Sequence, residues 1–258
     1  MTNNGKHAGQ LGTFLCSYAT TLLECGATTV RIEKNVERMA RAYGSNAEIS
    51  IYPRHVEVVL MDNDSGRTSL CSKAISGSHI NFSTVTALSK LSWNCLDRHT
   101  PLTVAMRQYR RIVITARIPP YAVTLLAAIA NASFCRLFEG DWQAMTVVFA
   151  ATACGFHLKD TVCRRFHIDI RLATILAGCV SAILSCSCYV FNIGNTPDTA
   201  LATSVLYLIP GIPYLNAVSD LINGHHICAM SRLIHAVTIT VCLSAGLYLG
   251  LALIKSCA

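Results

Sequence analysis

The 258 residues contain no G-x-x-x-x-G-K-[ST], no G-x-S-x-G and no H-E-x-x-H. The first absence excludes a nucleotide-driven pump carried on this chain. The other two leave Glu24, Glu33, His55, Asp62, Asp64 and His79 without a sequence frame for hydrolytic chemistry. Thirteen cysteines are present but form no C-x-x-C pair, so neither a zinc site nor a redox pair is expected. No cofactor is expected. Asp62-Asn-Asp-Ser-Gly66 starts like a calcium loop, yet the required later Glu is missing, and a solvated hairpin turn accounts for it. Residues 1–12 are polar, and the apolar stretch 11–23 is interrupted by Thr, Ser and Tyr. No secretory leader is expected there, and the N-terminal part is expected to stay on the side where it is made.

Charge is also scarce, at 14% of residues, whereas 52% are hydrophobic and the mean hydropathy is +0.44. That composition is too apolar for an ordinary soluble chain, and the apolarity is unevenly spread. Up to Arg117 polar and apolar residues alternate; from Ile118 onward apolar runs dominate. The expected organisation is an N-terminal cytoplasmic α+β domain, 1–117, followed by an α-helical polytopic membrane bundle, 118–258. Five spans are expected, at about 119–137, 142–158, 170–191, 200–216 and 233–254, each near the roughly 20 residues that a bilayer requires.

Basic residues set the orientation. Arg107, Arg110, Arg111 and Arg117 precede the first span, Lys159, Arg164, Arg165 and Arg171 separate the second and third, and Arg232 lies between the fourth and fifth. The opposite loops hold Arg136 and, in 192–199, no cation, with Lys255 at the tail. This bias predicts a cytoplasmic N-terminus and an external C-terminus. It also accounts for the net charge of +7 without invoking nucleic acid. Cys135, Cys154, Cys179, Cys186, Cys188 and Cys242 fall in expected spans and read as small apolar residues. Cys16, Cys25, Cys71 and Cys95 belong to the cytoplasmic part, where thiols stay reduced.

Within 1–117, an apolar helix is expected over 11–25, ending at Gly26. An amphipathic helix follows over 30–43, capped by Thr28 and stopped by Gly44, with Val30, Val36, Met39, Ala40 and Tyr43 on one face. Glu37 and Arg41 form an i,i+4 pair. Strands are expected at 48–52, 56–61 and 67–71, then a helix at 83–96 and another opened by Pro101.

The membrane half holds one segment that breaks its own pattern, Pro210-Gly-Ile-Pro213. Prolines remove backbone donors and clash with the preceding turn. Lipid cannot satisfy the carbonyls so freed, and a break of this kind survives only against protein or water. Interrupted helices build substrate sites in many transporters, so Pro210, Gly211 and Pro213 read either as a kink alone or as a kink lining a pathway. Asn216 and Asp220 follow at i,i+4 on one face; Asp220 is either functional or the cap of a helix at the membrane edge. Asn131 sits among Ala127, Ala128, Ala132 and Ser133, placed to bridge helices or to meet a substrate. Gly246 and Gly250 form a G-x-x-x-G whose expected role is helix packing, within the chain or to a partner. His225-His226 reads as a ligand pair or as part of a polar loop.

The run Tyr207-Leu-Ile-Pro-Gly-Ile-Pro-Tyr-Leu-Asn-Ala-Val-Ser-Asp-Leu-Ile-Asn-Gly224, followed by Ser231-Arg232, resembles the signature of the threonine/serine exporter family. Residues 25–44, the run Phe134-Cys-Arg-Leu-Phe-Glu-Gly-Asp-Trp142 and Gly194-Asn-Thr-Pro197 agree, and the likeness is greatest to half-length members from the bacterial inner membrane. The resemblance implies export of a small metabolite from the cytoplasm. It further implies a second small membrane subunit resembling the missing C-terminal half, and succinate or another small carboxylate as substrate. Threonine/serine export is the alternative. A membrane-anchored hydrolase and a regulatory subunit remain open as other classes. A dicarboxylate needs two anion-binding groups, and no basic residue stands firmly inside an expected span.

Overall fold

The structure is a computed structural model that describes residues 3–62, 66, 68–77, 79–114 and 118–257. Most of the turn at 62–66, together with Arg67, Arg117 and Ala258, lies outside the described residues. By internal contacts the chain forms two compact units. The first comprises Met1–Ala116 and Ile212–Ile234, and the second Arg117–Gly211 and His235–Ala258. Sequence patterning places all of 118–258 in the membrane domain, whereas 212–234 packs with the first unit. The reason is polar: this stretch carries Asn216, Asp220, His225 and Arg232, which find their partners among residues 26–33.

In the first unit, α1 (Asn3–Glu24) begins well before the expected helix and ends, as expected, before Gly26, whose φ of +85° suits a residue without Cβ. Leu11, Leu15, Tyr18 and Leu22 recur at helical spacing and are buried. α2 (Thr29–Ala42) buries Ile32, Val36, Met39 and Ala40 and stops before Gly44, at φ +69°. Val30 and Tyr43, expected on that face, are only part-buried. Thr28 is the N-cap residue by its extended backbone, but its side chain makes no capping bond. Arg41 and Glu37 do pair across one turn. The strands β1 (Ser45–Ile51), β2 (His55–Asp62) and β3 (Thr68–Ala74) form an antiparallel meander in which Ile49 faces Val58 and Val58 faces Cys71. Strict alternation buries Val56, Val58 and Leu60 of the central strand. α3 (Phe82–Asp97) is capped by Asn81, which accepts the Thr84 amide at 3.1 Å, and α4 (Leu102–Ile114) follows Pro101. Buried hydroxyls join the layers: Tyr18 donates to the Leu88 carbonyl at 2.8 Å, and the Tyr109 and Thr21 hydroxyls lie 2.7 Å apart.

The second unit contains α5 (Pro120–Leu137), α6 (Trp142–Arg165), α7 (Ile170–Val190), α8 (Pro197–Ser204) and a 3-10 turn, Leu206–Leu208. α9 (Gly211–Ile222) begins at its edge, and α10 (His226–Cys257) contributes its later turns. Leu125, Leu126, Ile129, Leu172, Leu176 and Leu249 point outward, as a lipid-facing surface requires. Three helices among the described residues are long and apolar enough to cross a membrane: Pro120–Leu137, Ile170–Val190 and His226–Ser256. Pro197–Leu208 with Gly211–Ile222 makes a fourth if the interrupted pair counts as one span. The expected count of five is thus not reached on length and apolarity. The difference is α6, which is long enough but carries His157, Lys159, Asp160, Arg164 and Arg165 in its second half.

α7 packs against the later turns of α10 at glycines. A Cβ on Gly246 would collide with the Ile175 carbonyl oxygen, and one on Gly250 would stand 2.8 Å from the Cys179 carbonyl oxygen. Backbone cannot yield as a side chain can. Gly211, by contrast, has open space where a Cβ would stand. Gly246→Leu should therefore prevent recovery of monodisperse protein after detergent extraction, whereas Gly211→Ala should behave as the parent on size-exclusion chromatography. Equal recovery of both would disprove the close helix contact.

Candidate functional site

The expected site residues fall into two groups, one in each unit. In the second unit Asn131, 4% exposed, donates through Nδ2 to Thr152 Oγ1 at 3.1 Å and more weakly to the Thr203 carbonyl at 3.4 Å. Its amide thus ties α5 to α6 and α8. One helical face of α7 carries Thr174, Ser181 and Ser185, all fully buried. Ser181 Oγ lies 3.0 Å from the Tyr207 hydroxyl and 3.3 Å from the Ala151 carbonyl. Gly155 leaves the space that the Tyr207 hydroxyl and Ser181 fill; any Cβ there would overlap both. Ser185 Oγ is buried with no hydrogen-bond partner. The result is a neutral interior lined with hydroxyl, amide and carbonyl groups. The spacing 174, 181, 185 was a legible signal for it, but small hydroxyl residues in an apolar run read as packing.

The break at Pro210 follows the 3-10 turn. Ile209 is extended, Gly211 N bonds the Ile209 carbonyl at 2.9 Å, and α9 then starts. Pro213 is the third residue of α9, within the turn whose amides have no intrahelical acceptor, so the ring costs no bond there. Gly211 falls in the second unit and Pro213 in the first.

In the first unit the α1–α2 turn is held by side chains from 212–234. Asn216 Nδ2 donates to the Gly26 carbonyl at 3.0 Å, and Arg232 Nη2 to the Ala27 carbonyl at 3.2 Å. Asp220, 0% exposed, accepts the Thr29 amide on Oδ1 at 3.3 Å. Its Oδ2 stands 3.0 Å from Arg232 Nη1 as an ion pair, yet neither atom has the alignment of a hydrogen bond. A buried carboxylate without a cation would be far costlier than this imperfect match. Arg232, expected in a loop between spans, sits instead within α10 with 18% of its side chain exposed. It is the cation that the sequence did not place. Cys228 donates to the Ile51 carbonyl at 3.2 Å.

His225 and His226 do not act as a pair. His226 begins α10, while His225 Nε2 lies 3.4 Å from Glu33 Oε2. Burial pushes the Glu33 carboxyl above its ordinary range, and His225 opposes that shift. Among the described residues no cluster of His, Cys, Asp and Glu is arranged to hold a metal ion.

At the start of α6 in the second unit, Asp141 caps the helix through the Ala144 amide at 2.6 Å and also accepts the Asn195 amide. These backbone bonds hold its carboxyl below the usual value.

The chain matches the family described as "Putative threonine/serine exporter" over residues 13–254. It is 26% identical over 236 residues to a protein of Escherichia coli K12 named "Probable succinate transporter subunit YjjP", an alignment covering 90% of each chain. It is 25% identical over 242 residues to the protein of the same name from Klebsiella aerogenes, covering 91% of this chain and 90% of the relative. No solved structure matches.

A glutamate whose carboxyl is raised on folding binds its proton more tightly in the folded chain. Stability should therefore fall as pH rises from the ordinary glutamate value of 4.5 through the folded one, and level off above it. Glu33→Gln should remove this part of the pH dependence. The check is the thermal midpoint of parent and variant across that range; parallel profiles would refute burial as the controlling influence on Glu33.

Proposed function

This chain belongs to the threonine/serine exporter family, and from that premise we propose that it is one subunit of a two-component inner-membrane exporter of small carboxylates, succinate foremost. The observation that carries the reading is a family match running through both units, with the interrupted segment inside it. The chain is a multi-pass membrane transporter. The word "subunit" in both relatives' names supports a partner, which we take to be a second small membrane protein completing the pathway. The family's own description favours a second reading, threonine/serine export by the same route. Neither reading needs the chain to catalyse a chemical reaction.

In this proposal α6 is counted with the three apolar helices and the interrupted pair, which gives five spans, a cytoplasmic N-terminus and a periplasmic C-terminus. Residues 1–117 form the cytoplasmic domain. Asn131, Pro210, Gly211, Pro213, Asn216 and Asp220 belong to the substrate pathway, while Gly246 and Gly250 serve packing. Without a nucleotide motif, export draws on gradients of substrate or ions.

Two measurements test this. Cells lacking the chain should retain more succinate under overproducing conditions, and restoring efflux should need both subunits. Retention of threonine or serine instead would select the second reading, and efflux unchanged for all three would sink both. Separately, Pro210→Ala combined with Gly211→Leu should reduce efflux at least about tenfold while membrane insertion is kept, because the first change restores a backbone donor and the second fills open space. Unchanged efflux would leave the break a tolerated kink.

A further inference from the structure

Four buried side-chain polar atoms among the described residues make no hydrogen bond, and three of them lie around Asp220: Thr29 Oγ1, and Asp220 Oδ2 with Arg232 Nη1, which face each other at 3.0 Å as an ion pair without hydrogen-bond alignment. Thr29 and Asp220 are both fully buried. Buried polar groups are almost always hydrogen-bonded, so a concentration of groups without an aligned hydrogen bond at a single place calls for an explanation.

The chemistry of the three is complementary to one kind of group. Thr29 is the first residue of α2, a 14-residue helix whose Thr28 side chain makes no capping bond. Its amide is one of the free donors at a helix N-terminus, where the helix dipole favours negative charge. Thr29 adds a hydroxyl donor, and Arg232 adds a guanidinium with one edge already fixed on the Ala27 carbonyl. Together they present an amide, a hydroxyl and a guanidinium, a set suited to a carboxylate. Asp220 supplies a carboxylate but fits poorly. One oxygen makes a 3.3 Å bond and the other a misaligned ionic contact, because α9 fixes where its short side chain can reach. A free carboxylate is under no such restraint.

We propose that Thr29, Arg232 and the first amide of α2 form a carboxylate-binding subsite, and that Asp220 occupies it as an internal stand-in until a ligand carboxylate takes its place. The exchange keeps the charge balance, since one carboxylate enters as another leaves, and Arg232 is never buried unpaired. Asp220 leaves with α9, which also carries Asn216 off the Gly26 carbonyl. Ligand occupancy and the position of the helix that begins at the Pro210 break are then linked, since the ligand and Asp220 compete for the same donors. The identity of the ligand rests on the exporter reading; the subsite itself rests on the poorly matched contacts of Thr29, Asp220 and Arg232.

The test is calorimetric titration of the purified full-length chain in detergent with succinate and with L-threonine. L-threoninamide, which lacks the carboxylate, is the control. Asp220→Asn, by weakening the stand-in, should tighten binding of the cognate carboxylate about tenfold, and Arg232→Gln should weaken it at least about tenfold. The double variant Asp220→Asn/Arg232→Gln replaces the ion pair by a neutral pair of similar size. It should stay folded and fail to bind, which separates loss of the subsite from loss of the fold. Threoninamide should not bind any variant. Folded Asp220→Asn with unchanged or weaker affinity would overturn the proposal, as would parental affinity in the double variant. Efflux from cells with binding indifferent to both residues would sink the subsite and leave the exporter standing. Arg232-dependent binding without efflux of any tested carboxylate would do the reverse.

Discussion

A carboxylate shut off from water has to be answered by the groups around it, and in this chain the answer organises the first unit. Asp220 is answered by Arg232 and by the amide that opens α2. Those contacts, with Asn216 on Gly26, fix the short turn between α1 and α2 against a segment almost two hundred residues further along the chain. The hydrophobic core of the unit is local by comparison, built by α1 and α2 over the three strands with α3 and α4 alongside. Apolar burial gives the unit its bulk, but it is indifferent to direction. The polar ties decide which late segment joins it and in what register.

The second unit solves a different problem. Its outer surface is apolar, so its interior cannot rely on water expulsion alone for specificity. Close approach of backbones at Gly246 and Gly250 and a run of hydroxyl and amide contacts around Asn131 supply it. The two units thus use opposite means: a buried ion pair in the first, and small neutral groups in the second.

Much of this was legible in the sequence because it depends on periodicity or on residues with a single structural meaning. The amphipathic pattern of α2, the alternation on β2 and the glycines that stop α1 and α2 all fixed their elements in advance. The start of α1 is not legible, since its first turns are polar and carry no periodic signal. The strand boundaries moved by a few residues, as pairing rather than propensity sets strand ends. The site was only half legible. Asp220 stands out as an acid at the edge of an apolar run, and Asn131 as an amide inside one. Arg232 did not stand out, since a cation beyond an apolar segment reads as loop charge until its partner is known. Nor did Thr29, whose importance lies in being first in a helix and next to a distant carboxylate. Long-range polar pairing of this kind leaves no trace in local pattern.

One consequence concerns the order in which the chain emerges from the ribosome. The first unit is discontinuous: its main body ends near residue 116, and its closing segment starts at 212. While the intervening helices are being made, the Gly26 and Ala27 carbonyls and the first amide of α2 still await Asn216, Arg232 and Asp220. The N-terminal body therefore waits, assembled around its core but open at one turn, until translation has passed Arg232. By then most of the second unit has been synthesised. Completion of the first unit thus comes only after most of the second has been synthesised, an order of assembly written in the distance between Thr29 and Asp220.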